Sequence, residues 1–581
     1  MRRRAALTLA LVVGLLAAAF ALLGRDGDRA LRPARHETTR HPRANVILLT
    51  IDTLRPDHLG AYGYAHPTSP HLDELARESV LFEDAVSSSA WTSPGLVSLL
   101  TGLFAVRHGV TGPAASVAPG TPTLATELAG RGYRVPNLVY LTSIPNYANL
   151  GFGPPLQEFF SDEGGPDELA RWLEHGPEEP FFLWYHYRYV HLPYRAPESE
   201  VRAVWPSAAA TAPVSEGLAA VQRDVIVPRD SLAFALPADR EAVTRLYDGE
   251  VHAMDAWLGD VLARLERRGL LDRSVLAISA DHGEELFDHG WVGHASTTLH
   301  ATLFEELIRI PLLIRFPGGA HGGLRIAEPV RGVDLMPTLL DAVDVAAPTG
   351  LDGRSLLPLV RGETLPPAPA MLESAIAGYQ TPPARDGERL AGIRERGWKL
   401  VLARGQPRAR LFHVASDPRE RTDLGGTGLS EETQLRTTLT RYLAEHDPGF
   451  FVDRPPRDAT VADAVPADAP CPSIEAPRDG ASLTFEADAG VVRARWAGRA
   501  DLRYMLEYEL GEGRFHTVGH MPLVGNAHDF GPYPREVWRS FGDFNPWRVR
   551  VVLTGREDCA PARVEFRFAS EADRAQGSPE R

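Results

Sequence analysis

Two short apolar runs in the chain are each followed at once by residues that can bind ligands. Val46–Ile51 precedes Asp52, and Ser274–Ala280 precedes Asp281 and His282. A continuous apolar run of this length is typical of a strand that is buried on both faces of a parallel sheet. Ligands of open α/β sheets bind at the carboxyl ends of the strands, so the pattern favours these polar side chains as ligand-binding residues.

A short helix is predicted just after Thr92. Ser93 is a favourable N-cap, Pro94 suits the first helical position, Gly102 favours a stop, and one apolar face is formed by Leu96, Leu99, Leu100 and Leu103. The N–H groups and the positive end of the helix dipole would point toward an anion beside the Thr92 hydroxyl. This is the position of a nucleophile. The alternative is that Thr92-Ser93-Pro94 only caps the helix, which is the more common role of a Thr-Ser-Pro triplet.

Further elements follow from the same periodicities. Helices are predicted at 72–76, 123–128 and 241–267, and buried strands at 181–187 and 310–316. Together with the two strands above, they indicate an α/β fold.

The chain begins with Met1–Arg4 and an apolar run, Ala5–Gly24, which is long enough to cross a bilayer as a helix. A cleaved signal peptide is the alternative, but the run is long for a signal-peptide core. We therefore expect residues 1–24 to anchor the protein in the membrane of the cell envelope, with the catalytic domain exported. Residues 25–43 lack periodicity and are predicted to form a tether.

Composition narrows the class of partner. The chain has 581 residues, of which 44% are hydrophobic and 24% charged, and this length and balance are typical of a globular protein with two or three domains. Its net charge of −15 argues against nucleic acid as a partner, because phosphate backbones select basic surfaces.

A second domain is predicted near the C-terminus. Residues 454–470 are rich in proline and alanine and indicate a linker, and residues 471–572 contain short alternating segments separated by turn residues. This spacing favours a β-sandwich of the immunoglobulin or fibronectin type III kind. The only cysteines, Cys471 and Cys559, bracket this domain, and in an exported protein a disulfide between them is the favoured interpretation.

Several motifs resemble one known family. The segment N-V-I-L-L-T-I-D-T-L-R-P-D-H-L-G-A-Y-G-Y at 45–64 resembles the opening of the sulfatase family of the alkaline phosphatase superfamily, and S-A-D-H-G-E-E-L at 279–286 resembles its second metal-binding segment. Segments at 333–341, 352–359 and 411–424 agree in the same order. The resemblance implies a central, mostly parallel sheet flanked by helices in a catalytic domain at 44–450. It also implies a small α+β C-terminal subdomain from about 325, with 393–402 as one strand of its antiparallel sheet.

The resemblance further implies that the strand-end residues converge on one divalent metal ion, either Ca, Mg, Mn or Zn. The matching ligand positions are Asp52, Thr53, Thr92, Asp281 and His282. A hard cation held in this way can activate a hydroxyl nucleophile and neutralise the oxygens of an anionic ester substrate.

Three histidines match family positions that contact the ester. His191 occupies the histidine of the pattern D-P-H-x-P-Y, because Pro193 and Tyr194 follow it. A Lys or His that binds the ester oxygens lies just ahead of the segment that contains Glu305. His300 fits this role by its spacing and His294 by its Gly-His context, so both stay candidates.

The sequence also departs from the family pattern. Arylsulfatase-type members carry C-x-P-S-R or S-x-P-S-R, whose first residue is oxidised to formylglycine, whereas this chain has Thr92-Ser93-Pro94-Gly95-Leu96. Thr cannot yield that aldehyde, and Leu96 replaces the supporting arginine. Thr53 replaces a second acidic residue, and the family's G-K-W-H segment is missing.

These features predict a metal-dependent hydrolase that cleaves a phosphate- or sulfate-type ester with Thr92 as the nucleophile. Chemistry favours phosphorus, because water can open a phosphothreonine by in-line attack, whereas a sulfothreonine lacks the geminal hydroxyl through which a formylglycine hydrate expels sulfate. Two alternatives stay open. One is a phosphoglycerol- or phosphoethanolamine-type transferase that acts on an envelope lipid or glycan, and the other is a non-catalytic binding protein.

Overall fold

A computed structural model of the chain describes most of the predicted catalytic domain and many of the C-terminal strands. The described residues are 38–111, 117–118, 120–135, 166–175, 180–206, 221–222, 237–290, 292–295, 301–375, 389–451, 470–483, 490–498, 503–510, 515–517, 523–524, 527–533, 547–553 and 562–568. No helix within these ranges is both long and apolar enough to cross a bilayer. The predicted anchor at 1–24, most of the tether and nearly all of the linker at 454–470 lie outside them.

Helices and strands alternate through the first half of the chain, and strands dominate the end. The helices are α1 (Pro70–Arg77), α2 (Thr92–Thr101), α3 (Ala105–His108), α4 (Leu124–Ala129), α5 (Pro166–His175), α6 (Glu198–Val204), α7 (Pro237–Arg267), α8 (Glu305–Ile308), α9 (Leu335–Ala342), α10 (Leu357–Val360) and α11 (Ser430–His446). The strands up to the small subdomain are β1 (Asn45–Ile51), β2 (Val80–Val86), β3 (Phe182–Tyr187), β4 (Ser274–Ala280), β5 (Glu285–Leu286), β6 (Val292–Gly293), β7 (Arg309–Arg315), β8 (Arg325–Ile326), β9 (Val330–Arg331), β10 (Ala370–Ala375), β11 (Arg389–Glu395), β12 (Trp398–Ala403) and β13 (Arg410–Phe412). The later strands are β14 (Ser473–Ala476), β15 (Ala481–Leu483), β16 (Gly490–Ala497), β17 (Arg503–Leu510), β18 (Phe515–Thr517), β19 (Leu523–Val524), β20 (Ala527–Tyr533), β21 (Trp547–Leu553) and β22 (Ala562–Phe568).

The central sheet has the strand order β3-β1-β4-β7-β2-β8, with β9 also paired to β2. Strand β1 runs parallel to both β3 and β4, and its last residue, Ile51, pairs with Tyr187 and Ala280. Only β7 runs antiparallel to its neighbours β4 and β2. The prediction of a mostly parallel sheet is confirmed, and the carboxyl ends of β3, β1 and β4 lie side by side.

Helix α2 confirms the helix predicted after Thr92 but begins earlier than the sequence suggested. Thr92 is already helical, so Trp91 occupies the N-cap position, without a side-chain cap, and Ser93 is not the cap. All ten residues of α2 are buried, which explains the difference, because packing rather than capping fixes where this helix starts. Gly102 ends the helix with a left-handed backbone at φ 67°, as predicted.

The small subdomain contains an antiparallel sheet in the order β10-β11-β12-β13. The expected single strand at 393–402 is wrong, since this segment forms a hairpin made of β11 and β12. Arg396 and Gly397 connect the two strands with φ angles of 50° and 78°, which is the backbone that a tight two-residue hairpin turn requires. Buried residues Leu435, Leu439 and Leu443 of α11 pack against this sheet.

The C-terminal strands form two sheets, one ordered β14-β16-β20 and one containing β15-β22-β21-β17-β18. Trp496 from the first sheet and Tyr504 from the second are both fully buried, with ring centroids 5.6 Å apart in an edge-on arrangement. This contact joins the two sheets, as the β-sandwich prediction requires. Cys471 is disulfide-bonded, whereas Cys559 lies outside the described residues.

A buried ionic cluster joins the small subdomain to the large one. The Lys399 ammonium has no exposed surface and lies 3.1 Å from Glu305 Oε1 and 2.8 Å from Glu420 Oε1. It also donates to the Leu303 carbonyl at 2.6 Å. Arg394 pairs with the Glu305 carboxylate at 3.2 Å. Each charge is therefore compensated, which a buried ionic group needs for stability.

Replacing Lys399 with methionine should destabilise the protein by about 3–5 kcal/mol, because two buried carboxylates lose their shared partner. The free energy of unfolding can be measured by urea denaturation followed through tryptophan fluorescence. Arg441→Gln is the matched control, since Arg441 is exposed on α11, and it should change that free energy by less than about 0.5 kcal/mol. An unchanged unfolding midpoint in Lys399→Met would contradict the role of the cluster.

Candidate active site

Three neighbouring strands bring ligand-type side chains together. Asp52 follows β1, Asp281 follows β4, and His186 lies near the end of β3. One ligand atom of each of these residues lies within 4.8 Å of the others, and all three side chains are buried. The strand ends thus converge on one point, as the family resemblance implied for Asp52 and Asp281.

The orientation of His282 is fixed by the backbone beside it. His282 Nδ1 lies 2.7 Å from the Gly283 carbonyl, and because a carbonyl only accepts, this nitrogen carries the proton. The other ring nitrogen, Nε2, then has a lone pair that lies 3.4 Å from Asp281 Oδ2 and 3.7 Å from Asp52 Oδ1. Burial lowers the pKa of His282 to about 4, which keeps the ring neutral near pH 7.

The polar atoms that face each other lack hydrogen-bond partners. Within the described residues, Asp52 Oδ1, Asp281 Oδ2 and His186 Nε2 are buried and form no hydrogen bond. Burial raises the pKa of Asp281 to about 8, and the nearby Asp52 charge adds to this effect. Burial would also raise the pKa of Asp52, but the neighbouring His191, His186 and His282 lower it below its usual range. Such a set of acceptors fits a divalent cation, which would satisfy all of them at once.

Helix α2 delivers Thr92 to this group. The Thr92 hydroxyl oxygen lies 3.2 Å from His282 Nε2, at the first residue of the helix. This close approach depends on Gly95, where an added Cβ would lie 2.5 Å from the Asp281 carbonyl oxygen. Leu96, at the position of the family's supporting arginine, is fully buried in the hydrophobic core.

Thr53 contributes its backbone to the site. Its N–H donates to Asp281 Oδ1 at 3.2 Å, while its hydroxyl is buried without a hydrogen-bond partner. Its φ angle of 58° is rare for a β-branched residue, and such strain is concentrated at functional sites. Tyr247 holds this conformation by donating its hydroxyl to the Thr53 carbonyl at 2.8 Å. The contact with the acidic group is therefore made by the Thr53 backbone.

Two further histidines, His294 and His191, extend the group of rings that begins at His282. The ring centroid of His294 is 4.5 Å from that of His282 and 4.8 Å from that of His191. His294 Nδ1 lies 2.7 Å from Glu284 Oε1, and burial raises the pKa of Glu284 to about 8 and lowers that of His294 well below its usual range. His300, the other candidate for the ester-binding position, lies outside the described residues.

The sequence reasoning did not assign a role to His186. Its Nδ1 lies 2.9 Å from the Thr50 hydroxyl, which also accepts from Trp184 Nε1 at 3.0 Å. With Nδ1 occupied, Nε2 lies 3.6 Å from Asp52 Oδ2. The available signal was a titratable residue inside an otherwise apolar, aromatic strand, one residue before the strand end.

Comparison with known proteins identifies the family. A model of the Sulfatase family matches residues 44–345, and a model of the C-terminal region of N-sulphoglucosamine sulphohydrolase matches residues 289–447. Since the first match covers more than half of the chain, the chain belongs to the Sulfatase family and is an ester hydrolase of that family.

Curated relatives include enzymes named for several ester types. An N-acetylglucosamine-6-O-sulfatase of Bacteroides thetaiotaomicron is 22% identical over 516 residues, covering 74% of this chain and 90% of the relative. The multifunctional alkaline phosphatase superfamily protein PehA of Trinickia caryophylli is 25% identical over 406 residues, covering 55% and 77%.

Solved structures show the same fold. A phosphonate monoester hydrolase of Agrobacterium radiobacter has a TM-score of 0.54 at 21% identity and covers 70% of this chain and 96% of its own. A protein solved with its substrate D-glucosamine-2-N,6-O-disulfate has a TM-score of 0.54 at 19% identity, covering 72% and 100%. At these identities the likeness establishes the fold alone.

Gly95→Ala should lower the stability of the protein by about 1–3 kcal/mol, because the new methyl group overpacks the contact between α2 and Asp281. The midpoint of thermal unfolding measures the effect. Gly130→Ala is the control, since Gly130 has an ordinary helical φ of −61° and its nearest atom to an added Cβ is 3.3 Å away. If both variants unfold at the wild-type temperature, the helix is not held against the strand end as described.

Proposed function

We propose that the protein is a metal-dependent hydrolase of phosphate-type esters that uses Thr92 as its covalent nucleophile. The observation that carries this proposal is the Thr92 hydroxyl, 3.2 Å from His282 Nε2 at the start of α2 and beside acceptors that lack protein donors. A nucleophile held at a helix start beside a cation site has both the position and the charge that in-line transfer requires.

Residues that would hold the cation are Asp52, Asp281, His282 and His186, with the Thr92 hydroxyl beside them. A divalent cation bound there supplies positive charge for the ester oxygens and for the ionised hydroxyl. Its ligands come from three adjacent strand ends, so the sheet itself keeps them in place.

The chain's own residues account for the two chemical steps. Thr92 Oγ1 forms a bond to phosphorus, its proton passes to water, and the bond from phosphorus to the alcohol oxygen breaks. His191 protonates the departing alkoxide, because burial lowers the pKa of the neighbouring His294 and keeps that ring neutral. Water then attacks the phosphothreonine from the opposite side, which releases phosphate and restores the Thr92 hydroxyl.

Sulfate-ester hydrolysis is the second candidate, and the sulfatase names of many relatives favour it. The residues around Thr92 support phosphorus instead. A threonine cannot form the aldehyde hydrate that expels sulfate, and Leu96 supplies no charge to support such a group. A structural neighbour of the same fold is named a phosphonate monoester hydrolase, which supports a phosphorus ester as the substrate.

Thr92→Ala should abolish hydrolysis, and Thr92→Ser should retain part of it, because the serine hydroxyl can still attack. Activity can be assayed on chromogenic phosphate monoesters, phosphate diesters, phosphonates and sulfates, each with Ca, Mg, Mn and Zn. Thr101→Ala, at the opposite end of α2, is the control and should keep wild-type activity. Mass spectrometry of the briefly incubated wild-type protein should find a phosphoryl adduct on the Thr92 peptide.

Two outcomes of this assay would overturn parts of the proposal. Undiminished turnover in Thr92→Ala would exclude Thr92 as the nucleophile. Faster hydrolysis of sulfates than of every phosphorus ester would replace the first candidate by the second.

Metal content tests the ligand set separately from turnover. Wild-type protein purified under metal-replete conditions should contain one tightly held divalent ion, and Asp52→Asn should lose it. His186→Ala should weaken metal affinity by at least about tenfold, as expected when an imidazole donor is removed. The control His446→Gln, at the end of α11, should bind metal like the wild type. Wild-type affinity in His186→Ala would remove His186 from the ligand set.

A further inference from the structure

A polar cavity lies beside the hairpin that follows the metal-ligating segment, at Asp288 and His289. Its volume is about 580 Å³, and three arginines line it: Arg240 near the start of α7, Arg410 on β13 and Arg421 in the loop that follows β13. The tip of the β5–β6 hairpin, at Asp288 and His289, forms another wall. Segments from both subdomains therefore converge on this cavity.

The three arginines carry charge that the described part of the chain does not neutralise. None of them forms an ion pair with a described residue, and all three are open to a ligand from solvent, because Arg240 and Arg421 are exposed and Arg410 is half-buried. The Arg240 guanidinium lies 5.5 Å from the Phe287 ring centroid, and that of Arg410 lies 5.5 Å from the Phe304 ring centroid. Contacts with aromatic faces orient a guanidinium while leaving its charge and its N–H donors available.

The acidic residues of the same cavity are already paired elsewhere. Asp288 Oδ2 lies 2.6 Å from Arg55 Nη1, and Glu420 belongs to the buried cluster around Lys399. Neither carboxylate is therefore available to neutralise the arginines. The cavity keeps an excess of positive charge in a chain whose net charge is −15, so the positive charge is a local feature.

The hairpin connects the cavity to the proposed metal site. Its base lies at Glu284 and His294, whose side chains are 2.7 Å apart, and His282 precedes that base by two residues. Asp288, at the tip, is six residues beyond His282, so their Cα atoms can be no more than about 20 Å apart. One extended molecule can therefore reach both places.

We propose that this cavity binds a second anionic group, a carboxylate, sulfate or phosphate, of the same substrate molecule whose ester is attacked by Thr92. The preferred substrate is then an acidic oligomer with an anionic group within about 20 Å of the scissile ester. Guanidinium groups bind such oxyanions through paired N–H donors, which gives both affinity and orientation. This inference rests on the proposed function for the identity of the ligand.

Binding can be tested without turnover. The probe is a fluorescently labelled dextran sulfate oligosaccharide, whose anisotropy is measured with full-length Thr92→Ala protein at 0.15 M salt. Adding Arg410→Gln and Arg421→Gln together should raise its Kd at least tenfold, whereas Arg441→Gln should leave the Kd unchanged. Unlabelled neutral dextran should not compete. An unchanged Kd in the double arginine variant would overturn the proposal.

Inorganic sulfate and phosphate distinguish a site for free anions from a site for part of a larger substrate. Each should displace the oligosaccharide only at concentrations at least a hundredfold above those at which unlabelled dextran sulfate does. Displacement by inorganic phosphate at concentrations equal to those of dextran sulfate would show a free-anion site and contradict the proposal.

Kinetics separate this inference from the function on which it rests. In protein with intact Thr92, the double arginine substitution should lower kcat/KM for a polyanionic ester at least tenfold more than for a small chromogenic ester. Arginine-dependent binding without any turnover would contradict the proposed function alone. Turnover with an equal loss on both substrates would contradict the second anion site alone.

Discussion

The site depends on acceptor atoms that face each other without a hydrogen-bond donor supplied by a neighbouring residue. His282 Nδ1 is committed to the Gly283 carbonyl, so its Nε2 presents a lone pair to the carboxylates of Asp52 and Asp281. This arrangement is unfavourable in a buried setting unless a cation occupies the centre. Three features lie around these acceptor atoms. They are the close packing of α2 on the Asp281 strand end, the strained backbone at Thr53 and the row of histidine rings.

The small subdomain is tied to the large one by compensated charges. Lys399, Glu305 and Glu420 are buried together, and the hydrophobic core of the subdomain lies behind them. Glu420 belongs to this cluster and also lines the arginine-lined cavity. The ionic contact between the subdomains therefore helps to position the cavity wall that contains Arg410 of β13. The contact that stabilises the joint between the subdomains thus also borders the cavity proposed to bind a second anionic group.

The sequence predicted the strands whose apolar runs end in polar residues, because a strand that is buried on both faces is an uninterrupted run of apolar residues. It also predicted α2, yet misplaced its first residue, since the start of a fully buried helix is set by packing that local capping rules do not describe. The hairpin at Arg396 was missed because its turn, Arg396-Gly397, lacks the Asn-Gly or Asp-Gly pair that usually marks a two-residue hairpin turn. The charged residues at 394–396 and the glycine after them do interrupt the apolar pattern, and they were the available signal.

Within the candidate site, motif resemblance located Asp52 and Asp281 and pointed to His191 and His294, whereas the only local signal for His186 was its titratable ring in an aromatic strand. Its contribution arises from the register between β3 and β1, which pairs it with Thr50, and strand register cannot be read from one segment. The arginine-lined cavity was missed for the same reason. Arg240 is far in the chain from Arg410 and Arg421, and only the folded subdomains bring it beside them.

The burial of Leu96 bears on how this active site could change over evolutionary time. Its side chain is part of the main hydrophobic core, in contact with no solvent. An arginine introduced there would have to bury an unpaired guanidinium, at a cost of several kcal/mol, before it could assist any new chemistry. A single substitution toward the arylsulfatase-type motif would therefore destabilise the folded protein. A change of nucleophile would require neighbouring core residues to change first.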